Sequence, residues 1–266
     1  MLNVALLGAS GRMGRTLVPL LVASGELRLS GALAAAGDAA IGHDAGVLAG
    51  AGPLAVDITA DVERALAGAG VAIDFTLPLP SLEHARRCRA RSLPLVIGTT
   101  GHDEAARKEL AGIAEWIPVV LAPNMSLGVN LLFKLAELAA RALGAEYDAE
   151  IVEAHHRHKV DAPSGTALGL GRAVASGRGT TLEQAALPSR QGSSGPRPSG
   201  GIGFAVVRGG DIVGDHRLIF AGPGERVELA HHAEDRSGFA RGALVAARWV
   251  VGRPPGLYSM MDVLGL

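Results

Sequence analysis

The chain has 266 residues, of which 48% are hydrophobic, and a net charge of −1, so it can bury one large core or two modest ones. The near-neutral charge and an aromatic content of only 3% argue against a nucleic-acid surface, which needs basic stripes and stacking rings. Cys88 is the only cysteine, which excludes an intrachain disulfide, and no apolar run reaches the ~18 residues of a membrane helix, so we expect a cytoplasmic protein that binds no membrane.

The first motif along the chain is a glycine loop. A short apolar run at 3–8 leads into Gly8, Gly11 and Gly14, and the periodic segment 16–22 predicts a helix. The order strand, glycine loop, helix is typical of dinucleotide-binding folds. In such folds the first glycine permits a tight turn, the second lets the backbone approach a pyrophosphate, and the third packs the helix closely. We expect a dinucleotide loop here; a simple chain reversal is the alternative.

The rest of the first half alternates strand-like and helical segments. The predicted strands are 27–33, 71–75, 95–98 and 118–121, and the predicted helices are 61–67, 81–91 and 103–115. This alternation predicts an α/β fold, a Rossmann-type doubly wound parallel sheet, for residues 1–126 together with 237–266, where a final helix at 237–250 returns to it. Ligands of such sheets bind beyond the carboxyl ends of the strands, at the turns 34–35, 74–76, 98–101 and 122–126.

One residue that this fold uses for its cofactor is missing. An acidic residue should end the second strand and hold the adenosine ribose, but the chain has Ala34 and Ala35 there. Arg12, inside the glycine loop, is the nearest candidate cation for a 2′-phosphate or the adenine. We therefore expect both NADH and NADPH to support turnover, with a modest preference for NADPH.

Residues 127–236 are predicted to form a second, α+β domain with an open mixed sheet. Its predicted helices are 126–141 and 166–178, and its predicted strands are 148–154, 204–208, 212–219 and 226–232. The segment 189–203, rich in Ser, Gly and Pro, is expected to be a loop that could act as a lid. A sheet face that no helix covers normally finds a partner, so identical chains should associate through it.

The segment 153–166 carries the strongest functional signal, with the sequence Glu-Ala-His-His-Arg-His-Lys-Val-Asp-Ala-Pro-Ser-Gly-Thr. Three histidines and Lys159 lie within five residues, and Ser164 begins a predicted helix whose positive end suits an anion. Lys159 is one of only three lysines against 22 arginines, which favours a compact point charge at this position. A proton donor, a cation and an anion cradle together predict a site for a carboxylate-bearing substrate.

These motifs together resemble the 4-hydroxy-tetrahydrodipicolinate reductase family, long called dihydrodipicolinate reductases. The segments that carry the resemblance are 8–14, 74–76, 98–101, 153–166, 208–216 and 256–264, in the family's order over nearly the whole chain. The resemblance implies a homotetrameric two-domain enzyme of diaminopimelate–lysine biosynthesis. Such an enzyme reduces a cyclic dicarboxylate, 4-hydroxy-tetrahydrodipicolinate, to tetrahydrodipicolinate with NADPH or NADH.

The resemblance also implies residue roles. His155 would be the proton donor, with Lys159 acting beside it. The implied substrate-binding residues are His156, Lys159, Gly165 and Thr166. The implied cofactor-binding residues are Gly8, Ala9, Ser10, Gly11, Arg12, Met13, Gly98, Thr99, Thr100, Pro123, Asn124, Met125 and Ser126. The family often has an acidic–basic pair where this chain has Ala34 and Ala35, so the usual ribose contacts are not expected here.

Three other interpretations are open. Another two-domain NAD(P)-dependent dehydrogenase of an amino-acid-like acid would share the fold, and a substrate panel separates it from the first interpretation. A metalloenzyme would use His155, His156 and His158, but neighbours on an extended segment point to opposite faces, so we expect no metal. A non-catalytic cofactor sensor would bind the dinucleotide tightly without turnover.

Overall fold

The computed structural model describes residues 1–187 and 190–266. It divides into two compact units, the first formed by Met1–Leu127 with Arg236–Leu266 and the second by Gly128–Asp235. The boundaries predicted from the sequence, 126/127 and 236/237, each lie one residue from these limits. The roles predicted for the two domains, dinucleotide binding and substrate binding, stay predictions.

The strands are β1 (Leu2–Leu7), β2 (Leu27–Leu33), β3 (Ile58–Thr59), β4 (Val71–Asp74), β5 (Leu95–Ile97), β6 (Pro118–Leu121), β7 (Asp148–His155), β8 (Ile202–Arg208), β9 (Gly214–Gly222), β10 (Glu225–Ala233) and β11 (Gly256–Tyr258). The helices are α1 (Arg12–Ala23), α2 (Ala45–Leu48), α3 (Val62–Leu66), α4 (Pro78–Ala90), α5 (Glu104–Ala114), α6 (Leu127–Leu143), α7 (Gly165–Gly177), α8 (Leu182–Ala185), α9 (Ser237–Val250) and α10 (Met260–Leu264).

The first unit is built on a seven-stranded sheet with the order β11-β6-β5-β4-β1-β2-β3. Every pair of neighbouring strands in it is parallel. The run β3-β2-β1-β4-β5-β6 is the strand order of a doubly wound dinucleotide-binding sheet, and the direction of winding reverses between β1 and β4. The predicted Rossmann-type fold is confirmed, and the reversal places the carboxyl ends of β1 and β4 side by side.

Both faces of this sheet are buried, which explains why its strands are continuous apolar runs. In β1, Val4 and Leu6 belong to the core that includes buried residues of α1 and α9, whereas Ala5 and Leu7 belong to the core on the opposite face, with residues of α4 and α5. At Gly31 in β2 a Cβ atom would lie 1.8 Å from a backbone oxygen of α3, so only glycine allows this helix to pack so closely.

The second unit contains a four-stranded sheet with the order β10-β9-β7-β8. β7 is antiparallel to β9 and parallel to β8, so this sheet is mixed, as predicted. Alternate residues of β7 are buried, and Ile151 packs with residues of α6 and α7 in the core of this unit. The opposite set of alternate residues stays partly exposed, as the period of two in a strand requires.

The structure differs from the prediction mainly at element ends and in short elements. α1 begins at Arg12 rather than at residue 16, because Gly11 caps it and the glycine loop is correspondingly shorter. α4 begins at Pro78 rather than at residue 81, with proline in the first turn, where its missing N–H is not needed. The short elements α2, β3, α8, β11 and α10 were not predicted, because segments of two to five residues show little periodicity.

The predicted lid segment 189–203 overlaps β8, which takes its last two residues. Ser189 lies outside the described residues. Arg197, inside the segment, donates hydrogen bonds to Asp148 and Glu150 of β7, both at 2.8 Å. The part of the segment around Arg197 is therefore attached to the sheet in this structure, and a lid function stays a prediction.

Candidate active site

A buried carboxylate organises the end of β7. Glu153 and His155 are two residues apart on the same strand, so both side chains lie on its buried face. His155 Nδ1 lies 2.6 Å from Glu153 Oε2. Glu153 also accepts hydrogen bonds from the backbone N–H of Ser164 at 2.9 Å and from both terminal nitrogens of Arg208 at 2.8 Å. The carboxylate therefore joins the strand, the start of α7 and the end of β8.

This environment sets the ionisation of both side chains. Burial by itself raises the pKa of Glu153, but the hydrogen bonds from Arg208, His155 and Ser164 outweigh it and leave that pKa below its usual value. Desolvation lowers the pKa of His155 below 6.5, although the hydrogen bond and the charge of Glu153 oppose the change. Because Glu153 is ionised, the imidazole presents its N–H at Nδ1 to the carboxylate. Nε2 is thus the atom that can exchange a proton with a ligand.

Gly214 and His216 of β9 surround the ring of His155 on the side of Nε2. A Cβ atom at Gly214 of β9 would lie 3.1 Å from this nitrogen, so the glycine keeps space open in front of it. The ring of His216, which also lies on β9, packs edge-on against His155 with 5.1 Å between the ring centroids. His216 Nε2 is 3.1 Å from Ser164 Oγ, and burial lowers the pKa of His216 to about 4. His216 is therefore neutral near pH 7 and adds no positive charge beside His155.

The predicted substrate-binding residues lie on the segment between β7 and α7 and in the first turn of α7. Lys159 Nζ forms an ion pair with Asp161 Oδ1 at 2.8 Å. Nδ1 of His156 is buried without a hydrogen-bond partner in the described residues. Gly165 and Thr166 are the first two residues of α7, which Ser164 caps by accepting a hydrogen bond from the N–H of Ala167. This helix end carries partial positive charge that attracts an anion.

Sequence reasoning missed several residues of this cluster. Glu153 could have been found, since it lies two residues before His155 in a predicted strand and must share its face. Arg208, Gly214 and His216 lie 55 or more residues further along the chain, and only the pairing of β7 with β8 and β9 brings them close. They do lie in the segment 208–216 that carries the family resemblance.

The glycine loop of the first unit has the geometry of a phosphate-binding turn. Gly8 has a φ of +91°, and a Cβ atom there would lie 2.4 Å from the carbonyl oxygen of Phe75. A Cβ atom at Gly14 would lie 2.3 Å from the carbonyl oxygen of Gly8. Gly11 caps α1 without any side-chain hydrogen bond, so the first N–H groups of this twelve-residue helix are offered to a ligand. A dinucleotide pyrophosphate fits this cradle.

A second buried carboxylate fixes the loops after β4 and β5. Asp74 accepts hydrogen bonds from the hydroxyls of Thr76 at 2.8 Å and Thr99 at 2.6 Å, and its other oxygen lies 2.6 Å from His84 Nδ1. The hydroxyl of Thr99, which also accepts a hydrogen bond from the N–H of Thr76 at 2.8 Å, is therefore not available to a cofactor. Thr100, the next residue, is exposed.

The remaining predicted cofactor-binding residues divide by exposure. The side chains of Ala9 and Met125 belong to the core, so only their backbone atoms could contact a ligand. Pro123 and Arg12 are exposed, and the side chain of Asn124 accepts a hydrogen bond from the N–H of Ser126 at 2.8 Å. These turns follow β1, β5 and β6, whose carboxyl ends lie at one edge of the sheet.

Asp38 is an acidic residue at the glycine loop that the sequence analysis did not identify. Its Oδ2 accepts a hydrogen bond from Ser10 Oγ at 2.6 Å. The sequence analysis considered Ala34 and Ala35, which directly follow β2, whereas Asp38 returns to the loop through a turn. A carboxylate is therefore present at the glycine loop, although no acidic residue follows β2 directly.

Two further findings concern the described residues alone. None of their helices combines the length and the apolar composition that crossing a bilayer requires. No group of three or more His, Cys, Asp or Glu side chains among them is arranged to hold a metal ion.

Comparison with protein-family models shows which family this chain belongs to. A model of the dihydrodipicolinate reductase N-terminus matches residues 2–125, and a model of the C-terminus matches residues 128–264. The chain belongs to the dihydrodipicolinate reductase family. The N-terminal domain of this family binds NAD(P), so the predicted cofactor, NADPH or NADH, is confirmed, as is the predicted enzyme class.

Individual relatives agree with the family. The 4-hydroxy-tetrahydrodipicolinate reductases of Thiobacillus denitrificans and Nitrosospira multiformis are 56% and 51% identical to this chain and match 99% and 100% of it, with 98% of each relative covered. The dipicolinate-bound dihydrodipicolinate reductase from Paenisporosarcina sp. TG-14 has a TM-score of 0.78 at 25% identity, over 98% of both chains. GenD2 from gentamicin A biosynthesis, solved with NAD, shares the fold, with a TM-score of 0.62 at 14% identity over 99% of this chain and 90% of that one.

Proposed function

We infer that this chain reduces 4-hydroxy-tetrahydrodipicolinate to tetrahydrodipicolinate with NAD(P)H in diaminopimelate–lysine biosynthesis. The observation that carries the inference is the histidine cluster, in which a carboxylate-held imidazole and a lysine lie on the segment that leads into a helix N-terminus. Relatives that are more than half identical over nearly their whole length carry this activity in their names. We also propose that the enzyme works in the cytoplasm, where the reduced nicotinamide coenzymes of biosynthesis are found.

His155 is the proton donor in this proposal. A nicotinamide, when bound, would supply the hydride. Loss of the 4-hydroxyl group of the substrate as water gives the conjugated imine. Addition of hydride to this imine leaves electron density on the ring nitrogen side, which must be protonated. His155 can deliver that proton from Nε2, because Glu153 holds its other nitrogen at 2.6 Å and stabilises the charged form of the ring. Loss of the proton leaves a neutral ring, which the desolvated surroundings favour.

Lys159 and the start of α7 hold substrate carboxylate. Lys159 is paired with Asp161, whose side chain is exposed. A substrate carboxylate takes the place of Asp161 beside the ammonium group, while Gly165 and Thr166 offer it the positive end of the helix. His156 adds a hydrogen bond through its imidazole. The ammonium group also stabilises negative charge that develops on the substrate during reduction.

The first unit binds the cofactor. We propose that the glycine loop, Gly8 to Met13, surrounds the pyrophosphate, and that the turns 98–100 and 123–126 lie against the nicotinamide half. The support is the N-terminus of α1, where no side chain accepts a capping hydrogen bond, and the lack of room for a Cβ atom at Gly8 and Gly14. Asp74 fixes the turn at Thr99 by accepting a hydrogen bond from its hydroxyl group.

The second unit carries the assembly surface. We propose a homotetramer built through the face of its sheet that α7 does not cover. Val207 on β8 is 48% exposed on that face, and Arg217 on β9 is exposed on the same face, where it pairs with Glu228. A face that mixes apolar and paired charged side chains is suited to a second copy of itself. A monomeric mass in light scattering at micromolar concentration would refute the tetramer.

A matched pair of lysine variants tests the residue roles. Lys159→Ala should lower kcat by about 10²-fold, the scale expected when a charge-stabilising group is removed. Lys134→Ala is the control, since Lys134 lies in the same unit, forms an ion pair with Glu137 on α6 and belongs to neither cluster. Equal activities of the two variants would show that Lys159 has no part in the reaction.

A further inference from the structure

Asp38 is held in one orientation at the glycine loop. Its Oδ2 accepts the hydroxyl of Ser10 at 2.6 Å, and its Oδ1 accepts the backbone N–H of Ala40 at 2.8 Å. These two hydrogen bonds, from Ser10 first and then from Ala40, keep the pKa of Asp38 below its usual value of 3.8. The side chain is partly exposed. A carboxylate that is ionised at neutral pH and open to a ligand is therefore fixed beside the third residue of the loop.

The turn after β2 explains how Asp38 reaches this place. β2 ends at Leu33, and the N–H of Asp38 donates to the carbonyl of Ala35 at 3.0 Å. Gly37, with a φ of +85°, allows the chain to reverse. The reversal carries Asp38 back to the carboxyl end of β1, next to which β2 lies in parallel. In doubly wound sheets the acidic residue that receives the adenosine ribose follows the second strand, and here that strand ends next to the glycine loop.

We propose that Asp38 accepts hydrogen bonds from the adenosine ribose hydroxyls of NADH and makes this chain prefer NADH over NADPH. The proposal deepens the proposed function, on which it rests. It replaces the modest NADPH preference expected from the sequence, which depended on the absence of any acid at the ribose position.

The neighbouring charges support this direction of preference. A carboxylate at the ribose accepts from the 2′-hydroxyl but repels a 2′-phosphate. Arg15 Nε donates to the carbonyl oxygen of Ser10 at 2.9 Å, so this guanidinium is partly committed to the loop. The Arg12 side chain is exposed and forms no ion pair within residues 1–187 and 190–266. Arg12 can still contact phosphate, but it does so without removing the negative charge of Asp38.

Binding without turnover tests the proposal. The dissociation constants of NADH and NADPH are measured by calorimetry for the wild type, for Asp38→Asn and for Glu109→Gln. Glu109→Gln removes one carboxylate on α5, where Glu109 pairs with Arg86, and serves as the control for the change in net charge. The wild type and the control should bind NADH more tightly than NADPH.

Asp38→Asn should weaken NADH binding by about tenfold, the scale of one charge-assisted hydrogen bond, and should leave NADPH binding equal or tighter. An unchanged ratio of the two constants would overturn the proposal. If the ratio is unchanged because the binding of both cofactors is weakened equally, Asp38 only supports the loop through Ser10. Ser10→Ala separates these effects, since it keeps the carboxylate and should therefore keep the NADH preference.

The readout is independent of the substrate. A protein that binds NADH with the expected preference but does not reduce the cyclic dicarboxylate would contradict the proposed function and leave the role of Asp38 intact. A protein that reduces the cyclic dicarboxylate, but whose ratio of NADH to NADPH dissociation constants is the same before and after Asp38→Asn, would support the proposed function and contradict the role of Asp38.

Discussion

Glu153→Gln removes the charge that organises the catalytic cluster while it keeps the shape of the side chain. The carboxylate accepts four hydrogen bonds, from His155, from Ser164 and two from Arg208. Gln retains one acceptor oxygen and replaces the other with an NH₂ group, which then faces donors. The side chain of Glu153 is fully buried and that of Arg208 is 19% exposed, so breaking this pair should cost about 3 kcal/mol of unfolding free energy, the lower end for a buried ion pair.

The activity should change in a way that a loss of stability alone does not produce. The proton donor must be protonated, so kcat/KM falls as the pH rises through the pKa of His155 in the free enzyme. Glu153 raises that pKa against the effect of desolvation. In Glu153→Gln the fall should therefore move to lower pH, and kcat/KM at neutral pH should drop by about 10²-fold.

The assay is the pH profile of kcat/KM, measured beside thermal unfolding. Glu150→Gln is the matched control, because Glu150 lies on the opposite face of the same strand and pairs with Arg197 at 2.8 Å. The control should leave the profile in place. A Glu153→Gln enzyme that loses activity but keeps the wild-type profile would show that the carboxylate has only a structural role and would refute this assignment.

Three further predictions follow from buried histidines and glycines. The pKa of His216 is about 4 in the folded protein and 6.5 in the unfolded chain, so the unfolded chain binds more protons between these two pH values. The unfolding free energy should therefore rise with pH across this window, by about 3 kcal/mol more in the wild type than in His216→Gln. Urea titrations at several pH values measure the difference. Gly214→Ala should place a methyl group against Nε2 of His155 and lower kcat by about tenfold or more with cofactor affinity unchanged; unchanged turnover would show that this nitrogen is not the one used. Gly31→Ala should lower the unfolding free energy by over about 2 kcal/mol, whereas Gly112→Ala, in open space within α5, should raise it by up to about 1 kcal/mol; equal midpoints in thermal unfolding would contradict this packing.

The sequence predicts the elements that repeat a strong pattern and misses those that depend on distant partners. The helix 237–250 has the predicted limits because its apolar stripe is long and regular. The glycine loop follows a buried strand, so its place in the sheet could be predicted as well. Asp38 was missed because the expectation concerned the residues directly after β2, and the turn at Gly37 that returns the chain is not visible in a periodic pattern.

The catalytic cluster shows the same limit. His155 and Lys159 stand out by residue type within one short segment. The ion pair between Glu153 and Arg208 joins residues 55 positions apart, and only the parallel pairing of β7 with β8 brings them together. Burial then changes what the residues can do, because the same carboxylate on an exposed face would hold the imidazole only weakly.

The most direct test is the reaction itself. Initial rates of NADH and NADPH oxidation are measured with freshly generated 4-hydroxy-tetrahydrodipicolinate for the wild type and for His155→Ala, and cofactor affinity is measured for both proteins. The account predicts substrate-dependent oxidation by the wild type and a kcat about 10²-fold or more lower for His155→Ala, with cofactor affinity nearly unchanged. Cofactor binding by the wild type without substrate-dependent oxidation, or full turnover by His155→Ala, would contradict it.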